Sequence, residues 1–198
     1  MIKADCRSRL VEEGTRLFAE RGLHGVSVRE LSQAAGASIS MISYYFGSKE
    51  GLYKSVLQEQ FACFDQIEDI RQKGADPMVV IEGYLRWTIH RHRNNPYLLR
   101  FYTSELTNPT DCFATIVSPA IGNVIRILSE VVTAGIKQGQ FRQDIDAVNA
   151  ALALAGMVNY FFLSILATKS LINHLPSQDE QLINQYVAIF TEGIIAAK

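Results

Sequence analysis

The chain offers little to support covalent or metal-based chemistry. Its three cysteines, Cys6, Cys63 and Cys112, are odd in number and far apart. They make no CxxC pair and no Cys/His zinc spacing, so they read as free thiols of a reducing compartment. A surplus of positive charge is also missing: 19 Lys and Arg meet 20 Asp and Glu, for a formal net charge of −1. A global attraction to nucleic acid is thereby excluded, and any such affinity must come from where the charges sit. Residues 1–60 alone hold eight basic and seven acidic side chains. No uninterrupted apolar run reaches the roughly 18 residues that a bilayer crossing needs. The most apolar stretch, 147–167, is broken by Asn149, Gly156, Asn159 and Ser164, which suits a buried interface helix. MIKADCRSRLVEEG is charged from its third residue and lacks the apolar centre of a signal peptide. A cytoplasmic protein without a membrane partner is expected. No nucleophile–base pair, phosphate loop or metal spacing stands out, so no catalytic residue, metal or cofactor is assigned. An enzyme would have to be built from His90, His92, Glu105 and Asp111, brought together by the fold.

What is present is the balance of a globular protein, 48% hydrophobic and 20% charged. No segment alternates with period two for long enough to be a strand, and helical spacing recurs throughout. The expected fold is all-α with about nine helices. The first covers 3–22, with Leu10, Gly14, Leu17 and Phe18 on one face and Gly22 as its stop. Short helices follow over 27–36 and 38–46. A fourth runs from Ser48 to about Lys73. Asp76-Pro77 starts the next, as N-cap and first helical residue, and Asn94-Asn95-Pro96 ends it. Helices over 97–106, 118–139, 144–169 and 177–197 complete the chain. Residues 1–47 are expected as a three-helix head and 48–198 as a body, joined by the helix 48–73.

The head contains the most informative stretch, Ser27–Lys49. Ser27 and Glu30 form a Ser-x-x-Glu capping box. Val28, Leu31 and Ala34 should face inward, and Ala34-Ala35-Gly36 lets two helices meet closely. Ser38 should cap the second helix, with Ile42 and Tyr45 or Phe46 on its buried side. Ser38, Ile39, Ser40, Met41, Ser43, Tyr44 and Tyr45 then point outward. Hydroxyls and apolar groups of this kind can meet phosphates, base edges and thymine methyls. Ser27, Val28 and Arg29 lie at the start of the first helix, and Arg29 and Lys49 are placed to clamp phosphates. Such hairpins also occur in proteins that never touch DNA, so spacing alone leaves DNA binding open.

The run GLHGVSVRELSQAAGASISMISYYFGSKEGL, residues 22–52, resembles the DNA-binding head of TetR-family transcriptional regulators. Ser27, Val28 and Leu31, then Ala35-Gly36-Ala37-Ser38, then Tyr44-Tyr45-Phe46, then Ser48-Lys49-Glu50-Gly51-Leu52 follow that family's order. The resemblance implies that Arg29 and Lys49 contact DNA, that Ser38, Ile39, Ser40, Met41, Ser43 and Tyr45 face it, and that Phe46 is core. Ile39 stands where many members are basic, and Ser43 where many have tyrosine. Residues 39–53, and less specifically 100–110, resemble the subfamily with a CecR-like C-terminal domain.

The resemblance also implies a homodimer that binds a palindromic operator and is released by a small-molecule effector of unknown identity. Two recognition helices would then sit about 34–36 Å apart. Ala151, Leu154, Ala155, Val158 and Phe162, with Ile183, Tyr186, Val187, Phe190 and Ile194, are expected at the dimer interface. Both helices look too apolar for a monomer's surface. Trp87, His90, Tyr97, Phe101, Tyr102, Glu105, Met157, Tyr160 and Phe161 are the expected effector-binding residues, aromatic walls with a few polar groups. Arg86, His90, Arg91 and Arg93 form a basic cluster that could pair with Glu105 or an acidic effector. The alternative is a helical adaptor, or an orphan regulator without a small-molecule effector.

Overall fold

A computed structural model describes residues 5–62, 66–73, 76–165, 167–168, 170–171 and 175–195. Its helices are α1 (Cys6–Arg21), α2 (Val28–Ala34), α3 (Ile39–Phe46), α4 (Lys49–Phe61), α5 (Gln66–Lys73), α6 (Pro77–Asn94), α7 (Leu98–Thr107), α8 (Ser118–Lys137), α9 (Ala147–Ser164) and α10 (Asp179–Ile194). A π-turn over Phe113–Val117 precedes α8, and a 3-10 turn over Pro176–Gln178 precedes α10. Among the described residues there is no strand, only an isolated antiparallel bridge between Phe141 and Ile195. The all-α expectation holds. The expected single helix 48–73 is two helices, α4 and α5, and its passage through 63–65 lies outside the described residues. Cys63 and the expected end of the last helix at 197 lie outside them too.

Two compact units emerge: Met1–Cys63 with Arg100–Pro119, and Phe64–Leu99 with Ala120–Lys198. The expected division at residue 47 is not where contacts separate. The reason lies in α4, whose Leu52, Val56 and Leu57 are wholly buried and belong to the head's core.

In the first unit, α1 begins at Asp5, whose carboxylate accepts from the Ser8 N–H at 2.7 Å. Its inward residues are Leu10, Val11, Gly14, Leu17 and Phe18. The Phe18 and Tyr53 rings meet edge to face, 5.1 Å between centroids. Ser48 caps α4 by accepting from the Gly51 N–H at 3.1 Å. A Cβ on Gly51 would lie 1.9 Å from the Phe46 carbonyl oxygen, so the α3–α4 corner requires glycine there. Leu31 is buried in α2 and Ala35 just beyond it, whereas Ala34 is exposed. The expected inward Ala34 is thus displaced by one residue, because α2 ends at Ala34 and the chain turns.

The second unit is built on an apolar core from α6, α8, α9 and α10, centred on Ile81, Leu85, Ile127, Leu128, Val132, Leu154 and Val158. Each such buried side chain contributes on the order of 1.5–3 kcal/mol. By length and average hydropathy the segments Phe113–Lys137 and Ala147–Ser164 could each cross a bilayer. Single polar residues interrupt both segments without lowering their average much. One face of α9 nevertheless carries Ala151, Leu154 and Val158 into the core.

Candidate nucleic-acid interface

The helix-turn-helix is assembled from capping and one glycine turn. The Glu30 N–H donates to Ser27 Oγ at 3.2 Å, and the Ser27 N–H donates back to Glu30 Oε2 at 2.8 Å. Glu30 also accepts from Arg21 at 2.7 Å. Hydrogen bonds from the Ser27 side chain, then from Arg21, lower the Glu30 carboxyl to about 2. Gly36 takes φ 59°, a left-handed value that suits glycine, and the Ala37 N–H closes the turn on Ser32 O at 2.9 Å. Arg9 reaches from α1 to donate to Ala35 O at 3.0 Å.

α3 is seated by one apolar side chain. Ile42 is buried, and Phe46 is half-buried with the Arg7 guanidinium 5.4 Å above its ring. The rest of α3 faces outward. Ser40 and Ser43 are exposed, Ile39 is 47%, Tyr44 77% and Tyr45 37% exposed, and Met41 is half-buried. Tyr45 therefore belongs to the outer face and not to the buried one. Ser38 is exposed at the N-cap position, but its hydroxyl pairs with the Ser40 hydroxyl at 2.7 Å and makes no side-chain cap bond. Ser27 and Arg29 are exposed and Val28 is half-buried. Eight residues at 1.5 Å rise give α3 a length of about 12 Å, the width of a major groove. The surface is a helix face of hydroxyls, phenols and short apolar groups, with the exposed cations Arg29 of α2 and Arg7 of α1 beside the helix.

Lys49 departs from its expected role. Its ammonium donates to Leu23 O at 2.9 Å and Val26 O at 3.0 Å, so it is turned into the head and not presented as a free phosphate clamp. The reason is local: the α1–α2 turn leaves carbonyls without helical partners, and Lys49 lies beside them.

The expected effector residues do not share one unit. Phe101, Tyr102 and Glu105 lie in the first, and Trp87, His90, Tyr97, Met157, Tyr160 and Phe161 in the second. Glu105 is 0% exposed and accepts from Tyr53 OH at 2.7 Å and from Thr110 Oγ1 at 3.0 Å. It is committed to the first unit's interior and not open to a ligand. Burial, then the bond to Glu105, holds the Tyr53 phenol far above its ordinary value. Phe101 is buried beside Tyr53, 6.1 Å between ring centroids. Trp87 Nε1 donates to Gln66 Oε1 at 3.0 Å, His90 is exposed and bonded to Asn94, and Tyr160 is 71% exposed. His90 and Tyr160 are on outward helix faces, so neither is a wall of an enclosed site. The basic cluster is neutralised otherwise than expected: Arg86 pairs with Glu82 and Glu180, and Arg93 with Asp179 at 2.8 Å. His92, not expected in this role, bonds through Nε2 to Asn159 Oδ1 at 2.9 Å, while its buried Nδ1 lacks a hydrogen-bond partner. Among the described residues no three His, Cys, Asp or Glu gather as a metal site.

The expected dimer residues are also relocated. Ala151, Leu154, Ala155, Val158, Ile183, Phe190 and Ile194 are buried within the second unit, and Phe162, Tyr186 and Val187 pack against that core. Helical spacing marks an apolar face without saying which face a partner copy would cover. On α9 and α10 themselves, the large apolar residues left exposed among the described residues are Val148, Leu152, Tyr160, Leu163 and Ile189. Gly156 lies in the same α9 row, with open space where a Cβ would stand.

Residues 10–56 match the family model described as bacterial regulatory proteins, tetR family. Residues 77–192 match a tetracyclin repressor-like C-terminal domain, a different description from the CecR-like one that residues 100–110 suggested. The HTH-type transcriptional repressor NicS of Pseudomonas putida is 28% identical over 178 residues, covering 88% of this chain and 84% of that one. The ketosteroid transcriptional regulator KstR2 of Mycobacterium tuberculosis superposes with a TM-score of 0.79 at 22% identity, covering 100% of this chain and 98% of that one. AibR, solved with isovaleryl coenzyme A and operator DNA, superposes with a TM-score of 0.75 at 19% identity, covering 93% and 97%.

Proposed function

Because the chain belongs to the TetR family of bacterial regulatory proteins, we propose that it is a ligand-responsive repressor that binds a palindromic operator as a homodimer. The observation that carries this reading is the outer face of α3. Ile42 anchors the helix, and Ser40, Ser43, Ile39, Tyr44 and Tyr45 are left exposed on one groove-sized surface. Exposing aromatic and apolar side chains on so short a helix has a cost in water that contact with base edges would offset. Regulators of this family are not enzymes, and no catalytic role is assigned.

Dimerisation is supported by the row Val148, Leu152, Gly156, Tyr160 and Leu163 with Ile189. Gly156 lets a second backbone approach closely, and the flanking side chains supply the apolar contact area. A small-molecule effector is supported by the second unit, whose buried His92 Nδ1 wants a hydrogen-bond partner. The effector would act by favouring the arrangement that does not fit the operator.

The test is a gel-shift with duplexes tiled through the DNA beside the protein's own gene, at several salt concentrations. Sequence-dependent, salt-sensitive binding by a dimer is expected. Binding that ignored sequence, or none at all, would sink the repressor reading. Leu152→Asp should give monomers in sedimentation while leaving the head folded.

A further inference from the structure

We propose that Lys49 is a positioning residue for operator binding: it holds the turn from which α2 starts, and is not itself a phosphate contact. The inference rests on the reading of the α3 face as the DNA surface. Two of the three ammonium donors are spent on Leu23 O and Val26 O, at 2.9 and 3.0 Å. Both carbonyls belong to the α1–α2 turn, and Val26 directly precedes Ser27, the N-cap of α2. The side chains of Leu23 and Val26 are buried, so their backbone is gripped from inside by apolar packing and by Lys49 at its oxygens.

The turn's ends are tied by other means. At one end the Gly22 N–H closes α1 on Phe18 O at 2.8 Å. At the other, Glu30 joins Ser27 to Arg21. Between these ties, Lys49 brings two oxygens under one charge. Lys49 is the first residue of α4, whose start is fixed by Ser48 capping Gly51. One turn further along α4, Tyr53 is bonded to Glu105. Any displacement of the start of α4 therefore pulls on the start of α2 through the clasp, and α2 sets the angle of α3 through the Gly36 turn. With two of its three donors turned inward, Lys49 has only one left to offer a phosphate.

The two roles leave different marks. Losing a phosphate contact lowers the slope of log affinity against log salt by about 0.9 and matters less as salt rises. Losing a positioning bond weakens binding at every salt concentration and leaves the slope alone. The variants are Lys49→Met, which keeps the stem and loses the donors, and Lys49→Arg, which keeps the charge in a broader planar head that does not fit between the two oxygens. With the whole chain and its tiled duplexes, both variants should bind roughly five- to twentyfold more weakly with an unchanged slope, the lower part of the span of about 5–150-fold usual for an indirect coupling. Amide hydrogen exchange at residues 24–28 of the DNA-free variants should quicken, a readout independent of DNA. The proposal is overturned if Lys49→Met lowers the slope, Lys49→Arg restores binding, and exchange at 24–28 stays as in the unsubstituted protein. Failure of the DNA reading looks different: the unsubstituted protein itself binds no duplex, whatever the exchange shows.

Discussion

In the first unit polar side chains reach across from one element to another, whereas the second is an apolar core with its ionic ties near the surface. Arg9 holds Ala35 O, Lys49 holds Leu23 O and Val26 O, and Tyr53 and Thr110 both donate to the buried Glu105. In the second unit the ionic links are Arg71–Glu130 and Arg86–Glu180, with both partners well exposed, and the better-covered Arg93–Asp179, and the hydrogen bonds Trp87–Gln66 and His92–Asn159 join them. A hydrogen bond fixes a distance and an angle, whereas apolar contacts fix only proximity. The first unit is therefore suited to presenting one rigid face. The second is held mainly by burial, which constrains direction less.

The largest effect should come from removing the apolar centre that the first unit still needs. Leu52 is wholly buried between α1 and α4, with Gly14 and Phe18 beside it. Leu52→Ala should cost about 2–5 kcal/mol and abolish DNA binding with the fold of the head. Thermal melting and the gel-shift check this. A loss below about 1 kcal/mol would mean that the head's polar ties carry more of its stability than its core does.

A pair of substitutions sharpens the contrast directly. Tyr53→Phe keeps the ring against Phe18 and removes one of the two donors to Glu105 Oε1, leaving Thr110 alone there, at a cost of about 1–2 kcal/mol. Arg86→Ala in the second unit breaks two exposed pairs and should cost about 0–1 kcal/mol. Chemical denaturation of both variants decides it. Equal losses would erase the distinction between the two units.

Much of the head was legible in the sequence because its signals are local. The Ser27–Glu30 capping box joins residues three apart, and Gly36 and Gly47 mark turns by their own backbone needs. The outward set on α3 follows from Ile42 being the one apolar anchor at the right angle. What could not be read depends on partners distant in sequence. Lys49 is 26 residues from Leu23 and Tyr53 is 52 from Glu105, and no periodicity connects them. Glu105 looked like a ligand contact because a lone acid among aromatics reads the same whether it faces a cavity or a tyrosine. On α9 the period identified one apolar face, and only the fold tells that this face, with Leu154, points into the core while Leu152 points away from it.

The smallest effects separate the units by pH. Burial holds His92 below its ordinary value of 6.5, opposed by its bond to Asn159. The neutral ring is the stabilised form, so this contribution is complete above about pH 6.5 and lost as pH falls through the lowered value. Glu30 is depressed from 4.5 to about 2, so its bonds to Ser27 and Arg21 support the head above pH 4.5 and fade only between there and 2. Acidification should therefore loosen the second unit before the first. The sole tryptophan, Trp87, lies in the second unit and reports on it by fluorescence, while amide signals of Ser27 and Glu30 report on the head. His92→Gln should remove the step below pH 6.5 and leave the later one, and Glu30→Gln should do the reverse. If both steps moved together in either variant, the two units would be titrating as one body, and their different construction would not translate into separate stability.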